Sequence, residues 1–439
     1  MSQFQNLNKI LEKIISIVFI ILIGLIFYAF YRSEILYEGL YRDHYLKYYI
    51  FLISTLLVLL LINFLNKEIK LIFYTILFSL LLGCYISEIL LFDFKSLKSK
   101  TKLQHYLDLK KNQEIVVATY PFKYILKDVN QKEIFPLSGI SNKLTIYCKK
   151  YKNNKDFVIY KSDRYGFRNE DEKWDKKIDF VLVGDSSVQG SCVPSKKTIN
   201  SQIAEKSINK LNKNIDTINL GFSGSGPLLY YATLKEYLKK IDSQKVLLFF
   251  TEGNDLYNLH LELKDPFLKK YLNYEFQQNL INKQPAIDKV NYNLIEAELN
   301  KVNENIYSFI KLEKLRSVMG GYINRKMKKP VFKPTEKIYG NLNKVLLNIK
   351  KLTEEKNAEL YFIYMPHFSR FTSYNFDTNY EIHSKTISMV KNLDIKYIDM
   401  LKKFRKHNDP LSMYTLRTNQ HMNENGYMFV AQNIIKELN

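Results

Sequence analysis

The chain has 439 residues, 46% of them hydrophobic, enough for two or three domains with a sizeable core, and this excludes a disordered chain. Its formal net charge is +21, with lysines spread along the whole length. No RNP-like motif, zinc-finger spacing or arginine-rich arm accompanies that charge, so no nucleic-acid partner is expected; drift toward lysine is the favoured reading, with an anionic lipid or acidic polymer as the alternative partner.

Three uncharged or nearly uncharged runs come first. Residues 14–31 read IISIVFIILIGLIFYAFY, 48–65 read YYIFLISTLLVLLLINFL, and 71–91 read LIFYTILFSLLLGCYISEILL with a single acid, Glu88. Each is long enough to cross about 30 Å of hydrocarbon, and tyrosines gather at their edges as in an interfacial belt. Residues 1–94 are therefore expected to hold three transmembrane helices, with the bilayer as a partner. Three spans put the N-terminus and the C-terminal body on opposite sides. The basic residues flanking the spans, counted literally, lean toward a cytoplasmic body.

Residues 95–175 carry short strand-like pieces, EIVVATY, KLTIYC and FVIYKSD, and form a small β-rich lead-in. From residue 176 to 439 apolar strands alternate with helical patterns. The strands are FVLV, DTINL, KVLLFF, ELYFIYM and IKYIDM, and the last helix, GYMFVAQNIIKEL, is apolar at helical spacing. This alternation predicts an α/β fold, a doubly wound parallel five-stranded sheet covered on both faces. The link between the third and fourth strands is too long for a plain crossover. Residues 256–334 are expected to be a helical insertion beside the active-site edge, broken near Gly320, Gly321, Pro330 and Pro334.

In such a sheet, function gathers at the carboxyl ends of the strands. The first strand ends in GDSS with Ser186 and Ser187, the second in NLGFSGSGP with Gly224, and the third in TEGND with Asn254. His421 and Asn423 stand in NQHMNENGY, just before the last helix. A serine hydroxyl needs a base to take its proton, and His421 is the candidate. The oxyanion that forms needs fixed donors, for which the backbone N–H groups of Ser186 and Gly224 and the amide of Asn254 are candidates.

These four blocks, GDS, GFSG, EGND and QHMNENGY in that order, resemble the SGNH (GDSL-type) hydrolase superfamily over about 60% of the chain. The stretch SDRYGFRN, residues 162–169, looks like the lead-in of membrane-anchored bacterial members. The resemblance implies a flavodoxin-like SGNH fold and a membrane-anchored serine esterase or O-acyltransferase. Its partner would be an acylated glycan or lipid, no cofactor is called for, and the body would lie outside the cytoplasm. One departure stands out: the family's aspartate two or three residues before the histidine is replaced by Asn419 and Thr418. Asn419 could orient the ring through its amide oxygen, or Asp409 could fold back to it. The other implied reading is an inactive relative acting as a glycan-binding or assembly module.

Other residues carry weaker signals. His260 and His367 could line the site but suit surface or packing roles, Glu252 and Asp255 make a poor metal pair, and Asp399 reads as structural. No metal site is expected. The cysteines Cys84, Cys148 and Cys192 lack zinc spacing. Cys148 and Cys192 either pair, if outside the cytosol, or remain free thiols.

Overall fold

The computed structural model describes residues 2–36, 42–62, 64–91, 102–125, 133–149, 157–212, 214–302, 309–326, 332–372 and 377–438. The expected boundary at residue 95 and the breaker Pro330 lie outside them. The chain divides into two compact units, residues 1–93 with 305–328, and 94–304 with 329–439.

In the first unit the apolar runs form helices Ser2–Phe30, Arg42–Ile62 and Lys67–Leu91. Segments Ser16–Ile35, Tyr45–Ile62 and Glu68–Leu91 are long and apolar enough to cross a membrane. Large apolar side chains such as Ile20, Phe27, Phe51 and Leu61 are exposed, as a lipid-facing surface requires. Part of the expected insertion, the helix Glu313–Lys326, clusters with these helices rather than with the α/β body. The lone acid of the third run explains why. The buried Glu88 carboxylate accepts from the N–H groups of Lys314 (2.9 Å) and Leu315 (2.7 Å), satisfying free donors at that helix's first turn.

The second unit opens with a small sheet. Strand β1 (Ile115–Val117) runs parallel to β2 (Leu144–Lys149), which pairs antiparallel with β3 (Phe157–Lys161). The main sheet follows: β4 (Ile178–Val183), β5 (Thr217–Asn219), β6 (Ser243–Thr251), β7 (Glu359–Met365) and β8 (Lys396–Asp399). Its order is β5-β4-β6-β7-β8, every pair parallel. Both faces of the inner strands are apolar because both are covered. Val181, Val183, Val246 and Leu248 point into one core, and Phe180, Leu182, Leu247 and Phe249 into the other, as the two-residue period dictates. The helix Pro227–Tyr237 fills the first side, together with Glu336–Glu355, whose Leu342, Val345, Leu346 and Ile349 are buried at helical spacing. Helices Ile199–Leu211 and Glu424–Leu438 cover the other.

The motif at residues 162–169 ties the small sheet's end to the main one. Fully buried Asp163 accepts from the N–H groups of Tyr165 and Phe167, from Asn169 Nδ2 and from Trp174 Nε1, all at 2.8–2.9 Å. Burial still outweighs these bonds and raises its pKa to about 6. Asn169 pairs with the backbone of Asn219 on β5, donating to its O (3.0 Å) and accepting from its N (2.8 Å). Buried Arg168 donates to the carbonyls of Gln189 (3.2 Å), Gly190 (2.8 Å) and Val193 (2.9 Å). Arg168→Met should therefore lower stability by about 3 kcal/mol, since three buried acceptors lose their donor at once. Thermal unfolding of the detergent-solubilised chain measures this, and an unchanged melting temperature would refute it.

Candidate active site

Ser186 follows β4, the strand between β5 and β6 in the main sheet. It opens a one-turn helix, Ser186–Gln189, capped by Asp185, whose side chain accepts from Ser187 N at 2.8 Å. The same buried carboxylate accepts from Thr251 Oγ1 (3.3 Å) at the end of β6 and from Asn254 Nδ2 (2.9 Å) just beyond it. Asp185 thus holds the end of β6 against the serine turn. Ser186 and Ser187 are both buried, and Ser187 donates its N–H to that carboxylate.

On the other side of β4, the loop after β5 approaches the same turn. Asn219 Nδ2 donates to Val188 O at 2.6 Å and its Oδ1 accepts from Gly221 N at 2.8 Å. A Cβ at Gly221 would lie 2.4 Å from the backbone nitrogen of Gln189, so only glycine permits this approach. Ser223 N donates to Gln189 Oε1 at 2.9 Å, and the Ser223 hydroxyl bonds Tyr147 of β2. Gly224 follows with φ +81°, a conformation that costs other residues strain.

His421 arrives from the C-terminal segment. Its Nε2 lies 3.0 Å from Ser186 Oγ. The histidine is fixed through its backbone: its O accepts from Thr415 N (2.9 Å), and its N donates to Asn419 Oδ1 (2.9 Å). Tyr414 and Met422 form an isolated antiparallel bridge, and the Tyr414 hydroxyl donates to Pro366 O at 2.8 Å. Asn423 Oδ1 accepts from Asn425 N and Gly426 N and so caps the last helix. Leu416 and Arg417 before this turn both have positive φ, a strained approach of the kind found at functional sites. Burial holds the His421 pKa below its ordinary value, while the negative charge of Asp185 pulls the other way.

The remaining candidates fall outside this constellation or support it. Asp409 does not fold back toward the ring: Arg417 holds it in a two-pronged ion pair at 2.8 Å, exposed, because a nearby guanidinium out-competes a buried imidazole. Asn419 acts on the backbone of His421. Glu252 is fully buried and takes Tyr364 OH (2.7 Å), His367 N (3.0 Å) and the Arg370 guanidinium, tying the end of β6 to that of β7. His367 packs on Gly253 and bonds Ser369 Oγ at 2.7 Å. Asp255, accepting from Thr251 N and Tyr230 OH at 2.9 Å, is pushed well above the ordinary carboxylate range by burial and then by Asp185. Asp399 caps helix Met400–Arg405 and pairs with His383. Among the described residues no group of three or more His, Cys, Asp or Glu is placed to hold a metal. Cys148 and Cys192 are disulfide-bonded, with Cα atoms 5.4 Å apart, joining β2 to the segment after the serine turn.

Residues 162–169 do more than lead into the main sheet: Arg168 clamps the carbonyls behind Ser186. An arginine and an asparagine clustered with Gly166, between two apolar segments, were the available signal.

Neither a family model nor a curated protein matches this sequence. Among solved structures, the chain is similar to a lipase/acylhydrolase from Enterococcus faecalis, at 12% identity over 60% of this chain and 95% of that one, with a TM-score of 0.34. It is similar to a putative lipolytic protein of the G-D-S-L family from Desulfitobacterium hafniense, at 11% identity over 59% and 99%, TM-score 0.33. The acetyl xylan esterase AlAXEase gives 12% identity over 60% and 100%, TM-score 0.33.

Two glycine substitutions test the described turn. Gly221→Ala should cost about 2 kcal/mol by forcing the β5 loop off the serine turn, and Gly224→Ala about 1 kcal/mol from its positive φ. Thermal unfolding reads both, and a stabilised Gly221→Ala would contradict the close approach.

Proposed function

We propose that this chain is a membrane-anchored serine esterase or O-acyltransferase of the SGNH type, acting on an acyl ester of a glycan or lipid. The observation that carries the proposal is the 3.0 Å pairing of Ser186 Oγ with His421 Nε2 at the carboxyl end of β4. Because burial lowers the His421 pKa, the imidazole is neutral near pH 7 and able to accept the serine proton. Ser186 Oγ attacks the acyl carbon as its proton moves to Nε2. The carbonyl oxygen becomes an oxyanion facing the N–H groups of Ser186 and Gly224 and the amide of Asn254. Asn254 Nδ2 spends one hydrogen on Asp185 and keeps a second for this purpose. The alkoxide then leaves with the proton from His421, giving an acyl-enzyme. Water or an acceptor hydroxyl, deprotonated by His421, takes the acyl group and restores Ser186.

The Cys148–Cys192 disulfide supports a body outside the cytosol, where such bonds persist. It outweighs the flanking lysine count, which long translocated domains override.

Ser186→Ala should abolish fluorophosphonate labelling and hydrolysis of a short nitrophenyl ester, Ser187→Ala should spare both, and His421→Ala should remove most turnover. Asn254→Ala should lower kcat about 10²–10³-fold. Asn419→Asp keeps the acceptor for His421 N and should retain activity, whereas Asn419→Ala should lose it in part. Equal activity in wild type, Ser186→Ala and His421→Ala would leave the binding-module reading instead.

The acid limb of kcat/KM should fall with an apparent pKa below the ordinary histidine value, because catalysis needs neutral His421. Asp185→Asn removes the charge that raises that pKa, so the limb should move further toward acid. A limb that moves toward neutral pH would contradict the assignment of His421 as base.

A reporter fused after residue 439 should be active only outside the cytoplasm, and Cys148 and Cys192 should resist alkylation until reduced. A cytoplasmic reporter signal with both thiols free would overturn the exported body.

A further inference from the structure

A groove of about 540 Å³ lies at the far end of the helix that starts at the candidate oxyanion residue. That helix, Asp255–Glu262, has Asn254 as its N-cap and carries His260 into the groove. Its length is about 12 Å at 1.5 Å per residue. The lining includes Lys264, Lys269, Lys333 and Lys337 and contains no aspartate or glutamate.

The acids of the same segments are engaged elsewhere. Glu262 accepts from Gly226 N and Leu228 N. Asp265 accepts from Phe267 N and Leu268 N. Glu336 and Glu381 both pair with Lys385, and the charge of Lys333 helps hold the Glu381 pKa down without an ion pair between them among the described residues. Among the described residues none of the four lysines forms an ion pair. Four like charges around one concavity repel each other and focus a positive field, which an anionic ligand relieves. The low His260 pKa, set by burial and then by Lys264, fits that field.

Aromatic rings line the groove and the helix beside it. Phe332 packs edge-on against Tyr257 (5.3 Å between centroids) and lies 5.5 Å from His260. Tyr257, three residues after Asn254, is 45% exposed. Flat exposed rings accept the apolar C–H faces of sugars, and their bodies carry much contact area at low entropic cost. A single phosphate or lipid headgroup would engage one or two lysines. Four lysines on two separate chain segments, 264–269 and 333–337, suit charges that repeat along a polymer.

We propose that this groove binds the acidic sugars of an anionic polysaccharide, so that an ester farther along the same polymer is presented to Ser186. The proposal rests on the esterase reading for its second half only. The groove is a binding site in its own right, and the substrate class that it selects is an acylated acidic glycan rather than a neutral one.

The test uses the full chain in a neutral detergent with oligogalacturonate as the probe and a neutral manno-oligosaccharide as control. Wild type should bind oligogalacturonate, more weakly as salt rises, and not the control. Lys264→Glu with Lys333→Glu should weaken binding at least about ten-fold, and the neutralising pair Lys264→Met with Lys333→Met by a smaller factor. Both pairs should leave the melting temperature and turnover of a short neutral nitrophenyl ester unchanged. Phe332→Ala should weaken oligogalacturonate but leave inorganic polyphosphate binding as it is. Ser186→Ala should bind oligogalacturonate normally, so loss of its ester turnover reports on the esterase alone. Equal binding of the neutral oligosaccharide, or indifference to both lysine pairs, would overturn the groove proposal while leaving Ser186 labelling untouched. Lysine-dependent binding to phosphatidylglycerol vesicles without any to oligogalacturonate would overturn it in favour of a lipid.

Discussion

The Asp185 carboxylate is the point on which the candidate site depends. One oxygen accepts from Ser187 N and Thr251 Oγ1, the other from Asn254 Nδ2. A buried carboxylate is tolerated only when its lone pairs are met, so these donors are held as firmly as the acid is. The result is that the serine turn after β4 and the asparagine turn after β6 cannot drift apart. The same charge acts on His421 and opposes the effect of its burial.

Around this point the second unit is braced from three directions. Arg168 holds the carbonyls behind the serine turn, and Asn169 joins the edge strand β5 through its backbone. The disulfide between Cys148 and Cys192 and the Tyr147–Ser223 bond tie the small sheet to the loops on either side of Ser186. The buried Glu252–Arg370 pair does the same between β6 and β7. Removing one partner of such a pair leaves a buried charge uncompensated, which makes these braces cooperative rather than additive. A serine and a histidine paired from residues 235 apart in sequence need this kind of rigidity, because hydrogen-bond geometry tolerates little displacement.

Charge is divided by role. Buried acids organise loops and helix starts: Asp163 the lead-in, Glu262 the start of helix Pro227–Tyr237, and Glu88 that of helix Glu313–Lys326. Glu262 carries a pKa raised to about 8 by its burial, which its backbone donors only partly offset. The chain carries 65 lysines and arginines against 44 acids, and four of the lysines line the groove beside His260.

Local signals were legible in the sequence. Apolar runs long enough to cross a bilayer, strands buried on both faces, and a glycine-flanked serine after the first main strand depend on neighbours in the chain, so periodicity and length suffice to read them. The four blocks bearing Ser186, Gly224, Asn254 and His421 were also visible, since parallel topology brings strand ends to one edge. Choices among competing partners, near or far in the chain, were not. Asp409 turned to Arg417, Asn419 to the backbone of His421, and Cys148 to Cys192. Residues 305–328 joined the apolar helices, where Glu88 supplies an acceptor for a helix start. Each outcome was one of several partners permitted by composition, and only packing distances in three dimensions, where every buried donor must meet an acceptor, selected among them.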